Sequence, residues 1–119
     1  MENKEFAKQL EKRTRKFAIR VITLSASLPD SPEGKVIRYQ ITKSGTSIGA
    51  NYREANRSRS KADFTNKIKI CESEASETVY WIEIIIDLNW VNSKKILLIS
   101  IEANELLAIF TSIAQKLKL

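Results

Sequence analysis

Residues suited to sharp chain reversal are gathered at one place in this sequence. Both prolines and one of the three glycines lie in Leu28-Pro-Asp-Ser-Pro-Glu-Gly34, while Gly45 and Gly49 stand inside a periodic apolar stretch. So sparse a supply of turn residues favours long helices joined by short connections. The apolar spacing agrees. Phe6, Leu10, Phe17, Val21, Leu24 and Leu28 recur at intervals of three, four and seven, with Thr14 in the vacant place, and predict a first helix over residues 4–28. Ile19, Ile22 and Ala26 widen its apolar surface.

Pro29 disfavours continuation of that helix, and Ser31 is placed to cap the next one with Pro32 at its first position. A second helix is expected from Pro32 to about Arg57, with Val36, Ile37, Tyr39, Gln40, Ile41, Ser44, Ile48, Asn51, Tyr52 and Ala55 on its inward and flanking surfaces. Gly45 and Gly49 share one face and admit another backbone closely. Each costs roughly 0.5–1 kcal/mol relative to alanine in a helix interior, so a packing gain is implied. A helix ending at Gly45 is the alternative, opposed by the spacing that continues through Ile48 and Tyr52.

Ser60-Lys-Ala-Asp63 has the form of a capping box. Helix three would run to Leu88 or Trp90, its apolar surface including Phe64, Ile68, Cys71, Ala75, Val79, Ile82 and Ile86, extended by Trp81 and Ile85. The β-branched run from Val79 could be taken for a strand. Lys69, Glu72, Ser76, Tyr80, Glu83 and Asp87 nevertheless fall on one side at 100° per residue, which strict alternation would not give. Asn92 or Ser93 would cap helix four, which reaches about Lys116 with Ile96, Ile99, Ala103, Leu106, Phe110, Ile113 and Leu117 on its main face. Short connections make neighbours antiparallel. The expected fold is all-α: a single domain over residues 1–119, an up-down-up-down four-helix bundle. Apolar faces too broad for one buried stripe point to a subunit interface as well.

Composition narrows the chemistry. There is no histidine, which removes the commonest general base, the commonest metal ligand and the Ser-His and Cys-His arrangements. Cys71 is the only cysteine and lies on an apolar stripe, reading as a packed thiol. No Glu-x-x-His pair for a dinuclear centre occurs, nor a phosphate loop around Ser44–Gly49, nor a dinucleotide fingerprint. Neither a metal nor a cofactor is implied, and no enzyme. The charged N-terminal stretch and the lack of eighteen consecutive apolar residues are read as a cytoplasmic protein without a membrane span. The richest apolar stretch is taken as Val79–Val91, broken by Glu83 and Asp87.

Charge is unevenly placed. Residues 1–70 hold 16 Lys/Arg against 7 Asp/Glu, or +9, and residues 71–119 hold 4 against 7, or −3. Arg53, Arg57, Arg59 and Lys61 surround the expected turn between helices two and three, and Lys67 and Lys69 extend them; guanidinium forks of this kind suit phosphates. Lys12, Arg13, Arg15, Lys16 and Arg20 form a second dense segment that wraps several faces. Solvated helix surfaces are the plain alternative. A polar network of Ser44, Ser47, Asn51 and Glu54 with Glu74 and Glu77 is expected between helices two and three, in preference to an acid–base pair.

Gln40-Ile-Thr-Lys-Ser-Gly-Thr-Ser-Ile-Gly-Ala-Asn51, Arg53-Glu54, Lys61-Ala-Asp-Phe64 and Lys69-Ile-Cys-Glu-Ser-Glu-Ala-Ser-Glu-Thr78 resemble the bacterial four helix bundle protein family. That family includes proteins encoded by intervening sequences in 23S ribosomal RNA genes, and is related to the accessory variability determinant of diversity-generating retroelements. Ala55 departs from the glycine common after the equivalent of Glu54. The resemblance implies a small bundle assembling as a ring, commonly a homopentamer, and, through its retroelement relatives, RNA or a reverse-transcriptase-like ribonucleoprotein as partner. Together these readings give a noncatalytic homo-oligomeric scaffold with a basic nucleic-acid-binding surface; the alternative is an adaptor for an acidic protein. No small-molecule substrate is expected.

Overall fold

The computed structural model describes residues 4–118, which form four helices: α1 (Lys4–Ala26), α2 (Pro32–Ala55), α3 (Lys61–Leu88) and α4 (Ser93–Leu117). Sequence neighbours pack side by side, α1 on α2, α2 on α3 and α3 on α4, while α4 returns to α1 less extensively and the backbones of the diagonal pairs stay apart. This is the four-helix bundle with antiparallel neighbours expected from the short connections. It measures 44 × 25 × 22 Å along its principal axes.

The ends follow local chemistry. Ser31 Oγ accepts from the Gly34 amide at 3.0 Å, and Pro32 opens α2. Ser60 Oγ accepts from the Asp63 amide at 3.1 Å, and Asn92 Oδ1 from the Lys94 amide at 2.9 Å. Each cap satisfies an amide that has no partner within its helix. Asn89 ends α3 in the left-handed region, φ 56°, where asparagine is among the few side chains readily accommodated. Two helices stop about two residues earlier than the spacing indicates. After Ala26 and Ala55 the chain tightens into three-residue turns, Leu28 N–H to Ser25 O at 3.1 Å and Arg57 N–H to Glu54 O at 3.0 Å.

One hydrophobic cluster runs through the bundle, including Phe17 and Val21 of α1, Ile48 and Tyr52 of α2, Ile68 and Ile82 of α3, and Leu106 and Phe110 of α4. Tyr52 and Phe110 meet edge to face with centroids 5.4 Å apart, tying α2 to α4. Thr14 fills its place in the α1 stripe because its hydroxyl returns to the Leu10 carbonyl at 3.0 Å. Gly45 is an interior helical residue, so no loop begins there. Cys71 is fully buried, its thiol directed at the Ile48 carbonyl oxygen 3.4 Å away.

Some apolar assignments change. Phe6, Val36, Tyr39 and Ile86 face outward rather than inward. Among the described residues the helix that meets the length and hydropathy of a membrane span is α4, with a mean hydropathy of 1.7 over eighteen residues, and not the stretch before Val91. Leu97, Leu98 and Ile101 raise that value from the outer side of α4, while its inner stripe is core.

Candidate nucleic-acid interface

Connectivity brings the start of α1, the α2–α3 turn and the end of α4 to one end of the bundle. Arg57 and Arg59 lie in that turn and Lys61 opens α3; all three are exposed. Among the described residues their side chains make no ion pair. The turn is short because α2 ends at Ala55 and Ser60 caps α3 at once, so these cations are held between two rigid helix ends.

The other three basic candidates do not join them in one patch. Arg53 is exposed on the α1 side of α2, at the edge of a groove between those helices. Lys67 sits at the α2–α3 seam, where its ammonium donates to Glu54 Oε1 at 2.9 Å. That bond, with the Coulombic pull of the same carboxylate, raises the Lys67 pKa above its ordinary value and largely neutralises its outward field. Lys69, two residues on, is turned about 200° around the helix. It lines a shallow hollow of α3 and α4 beside Glu72 and Glu77, away from the arginines.

The six polar residues between α2 and α3 likewise separate. Ser44 is fully buried, its hydroxyl 2.9 Å from that of Thr78, which also lies 2.7 Å from the Glu74 carbonyl oxygen. Ser47 and Asn51 bond back within α2, to the Lys43 carbonyl at 2.6 Å and the Ser47 carbonyl at 2.8 Å. Glu77 accepts from the Trp81 indole at 3.3 Å, and Glu54 from Lys67. The hydroxyl pair Ser44–Thr78 is a buried side-chain link across the seam, alongside the approach of the Cys71 thiol to the Ile48 carbonyl. Thr78 was missed because its helical register marks it only as an interior position; a buried serine opposite was the available signal. Partial burial pushes the Glu74 carboxyl above its usual range, Glu77 adds to the shift, and Lys43 opposes it. Among the described residues no three His, Cys, Asp or Glu side chains are grouped to hold a metal ion.

A second basic region belongs to α1. Arg13 turns toward α4, where its guanidinium holds Glu102 through two bonds of 2.7 and 2.8 Å and Glu105 at 2.6 Å. The hydrogen bond to Glu102 raises the arginine's pKa still further, so its charge is fixed and spent within the bundle. Lys8, Lys12 and Arg15 turn the other way, toward α2 and Arg53. Their i, i+4, i+7 spacing was the signal for this face.

These features define an all-α four-helix bundle with unpaired cations at the α2–α3 turn and along the α1–α2 groove. The chain belongs to the 23S rRNA-intervening sequence protein family, whose model matches residues 7–112. It is also similar, at 36% identity and a TM-score of 0.80, to a protein of unknown function from the S23 ribosomal protein family of Bacteroides thetaiotaomicron VPI-5482 whose crystal structure is known; the match covers 87% of this chain and 96% of that one. No curated protein matches significantly. Neither description names a reaction.

Proposed function

We propose that this protein is a noncatalytic, self-assembling scaffold that presents a basic surface to RNA. The observation that carries the reading is the group of exposed, unpaired cations Arg57, Arg59 and Lys61 at the short α2–α3 turn, with Arg53 unpaired at the edge of the neighbouring α1–α2 groove, while Arg13 and Lys67 are neutralised by carboxylates. Guanidinium groups free of internal partners can hold phosphate oxygens, and a clustered field speeds the encounter. The family's description ties its genes to ribosomal RNA and agrees with that class of partner.

Support for assembly comes from the surface. The protomer exposes 7583 Å², against roughly 6,600 Å² for a compact monomer of this mass. Val36, Tyr39, Leu97, Leu98 and Ile101 are among the large apolar side chains left in solvent. A ring of such protomers, five in the form implied by the family resemblance, would cover part of that surface and repeat the basic end around an axis.

Binding of the full chain to a structured RNA panel, measured against salt concentration, tests the first half. Replacing Arg53, Arg57 and Arg59 together by glutamine is expected to weaken binding and flatten the salt dependence. Absence of binding to every RNA at low salt overturns it, and selective capture of acidic proteins in its place supports the adaptor reading. Sedimentation at micromolar concentration tests the second half; a cooperatively melting monomer rules out the assembly.

A further inference from the structure

We infer that the groove between α1 and α2 seats a nucleic-acid strand by its phosphates, with Lys8, Lys12 and Arg15 on one wall and Arg53 on the other. The inference rests on the RNA-binding reading and deepens it by naming a site apart from the α2–α3 turn. The groove has a volume of about 460 Å³ and runs along the seam of the two helices.

Its construction follows from small residues. At Gly49 an added Cβ would lie 3.0 Å from Thr14 Oγ1 and 3.2 Å from Thr14 Cβ, so the two helices close at the bottom of the seam. Ala50 above has no long side chain to fill the space. Basic side chains from two helices therefore border one trough instead of pointing apart.

The charge balance in the trough is one-sided. Its one carboxylate, Glu11, is held by Asn56, whose Nδ2 donates to Glu11 Oε2 at 2.9 Å. Lys8, Lys12, Arg15 and Arg53 form no ion pair among the described residues, in contrast to Arg13 one position away. The three α1 cations span seven residue steps, roughly 10 Å of helix axis, and a duplex strand carries one phosphate per about 3.4 Å, so the row is long enough for about three phosphates. The remaining lining is short and offers no deep apolar anchor of the kind that gives protein interfaces their affinity. A repeating anion fits this trough better than an acidic peptide. Recognition through phosphates alone predicts indifference to base sequence.

The test is fluorescence anisotropy of the full chain with labelled oligouridine and, separately, a mixed-sequence strand of equal length, over a salt series. The triple variant Lys8→Gln, Lys12→Gln, Arg15→Gln is expected to lose tenfold or more in affinity and about two units of slope in log K against log salt. Ala50→Glu, at an exposed position, retains every cation and is expected to weaken binding more than Ala50→Gln, which fills the trough to nearly the same extent without adding a negative charge. Circular dichroism checks the fold of each, and Lys94→Gln with Lys95→Gln on α4 serves as the charge control. If the parent binds and both groove variants bind equally well, or if the α4 control loses as much, the groove assignment is overturned while RNA binding stands. If the parent binds neither strand nor any structured RNA, both readings fall together.

Discussion

Gly45 faces the side chain of Val21 so closely that a Cβ added to the glycine would lie 2.8 Å from both valine methyls. Val21 is fully buried and β-branched, so its rotamer has little freedom to yield. Gly45→Ala is therefore expected to destabilise the bundle. The overpacking cost of about 1–3 kcal/mol exceeds the roughly 0.5–1 kcal/mol of helix propensity recovered. Val21→Ala in the same chain makes room for the new methyl. Urea unfolding of both single variants and the double should show the double less damaged than the sum by about 1 kcal/mol; strict additivity would mean that the two sites do not meet as described.

The Ser44–Thr78 hydroxyl pair calls for a similar cycle with opposite chemistry. Thr78→Val keeps the shape but removes the bond to Ser44 and to the Glu74 carbonyl. It leaves the buried serine with only a 3.4 Å approach to the Ile41 carbonyl. The single change should cost about 1–3 kcal/mol, because an unsatisfied buried hydroxyl carries its full desolvation penalty. Adding Ser44→Ala should cost little more, since both polar partners are then gone. A further loss as large as the first, read from denaturant midpoints, would contradict the pairing.

Arg13 ties α1 to α4 where those helices pack least extensively. Its side chain retains 37% exposure and that of Glu102 18%, so solvent screening reduces what the pair contributes. Arg13→Ala is expected to cost on the order of 1 kcal/mol. Arg13→Lys should recover less than half, because an ammonium cannot reproduce the two-pronged grip on Glu102. Hydrogen exchange of α4 amides offers the local readout: faster exchange in α4 with α2 and α3 unchanged is expected, and uniform acceleration would argue against a clamp.

Periodicity carried most of the architecture. The α1 stripe from Leu10 to Leu24, the caps at Ser31 and Ser60 and the buried course of Gly45 were all legible, because local propensity and the fold agree there. What spacing did not convey was the direction of side chains near a stripe's edge. Val36 and Tyr39 are about as apolar as Ile37, yet a rotation of 100° or more moves them into solvent. The basic site was legible only in part for the same reason. Lys67 and Lys69 are adjacent in the list of charges but face different seams, and Lys67's partner Glu54 comes from another helix. Lys8, Lys12 and Arg15 were hidden in a segment whose neighbour Arg13 points the opposite way.

Glu74 provides a prediction about pH. Burial at the α2–α3 seam and the nearby Glu77 hold its carboxyl above the ordinary value of 4.5, with Lys43 partly opposing. A carboxyl that binds its proton more tightly in the folded chain favours folding fully below its unfolded pKa. That advantage is lost as pH rises through the higher folded value. The ionised group is thus a mild liability at neutrality, and Glu74→Gln should be more stable than the parent at pH 7 by less than about 1 kcal/mol, since solvent still reaches the site. Near pH 4 the two proteins should converge. Comparing variant with parent at each pH cancels the other carboxylates, so the difference between their urea midpoints isolates this group. A gap that stays constant from pH 4 to 7 would mean that folding leaves the Glu74 pKa unmoved, and one that widens toward acid would mean that Glu74 is stabilised as the anion and that the seam holds a donor for it.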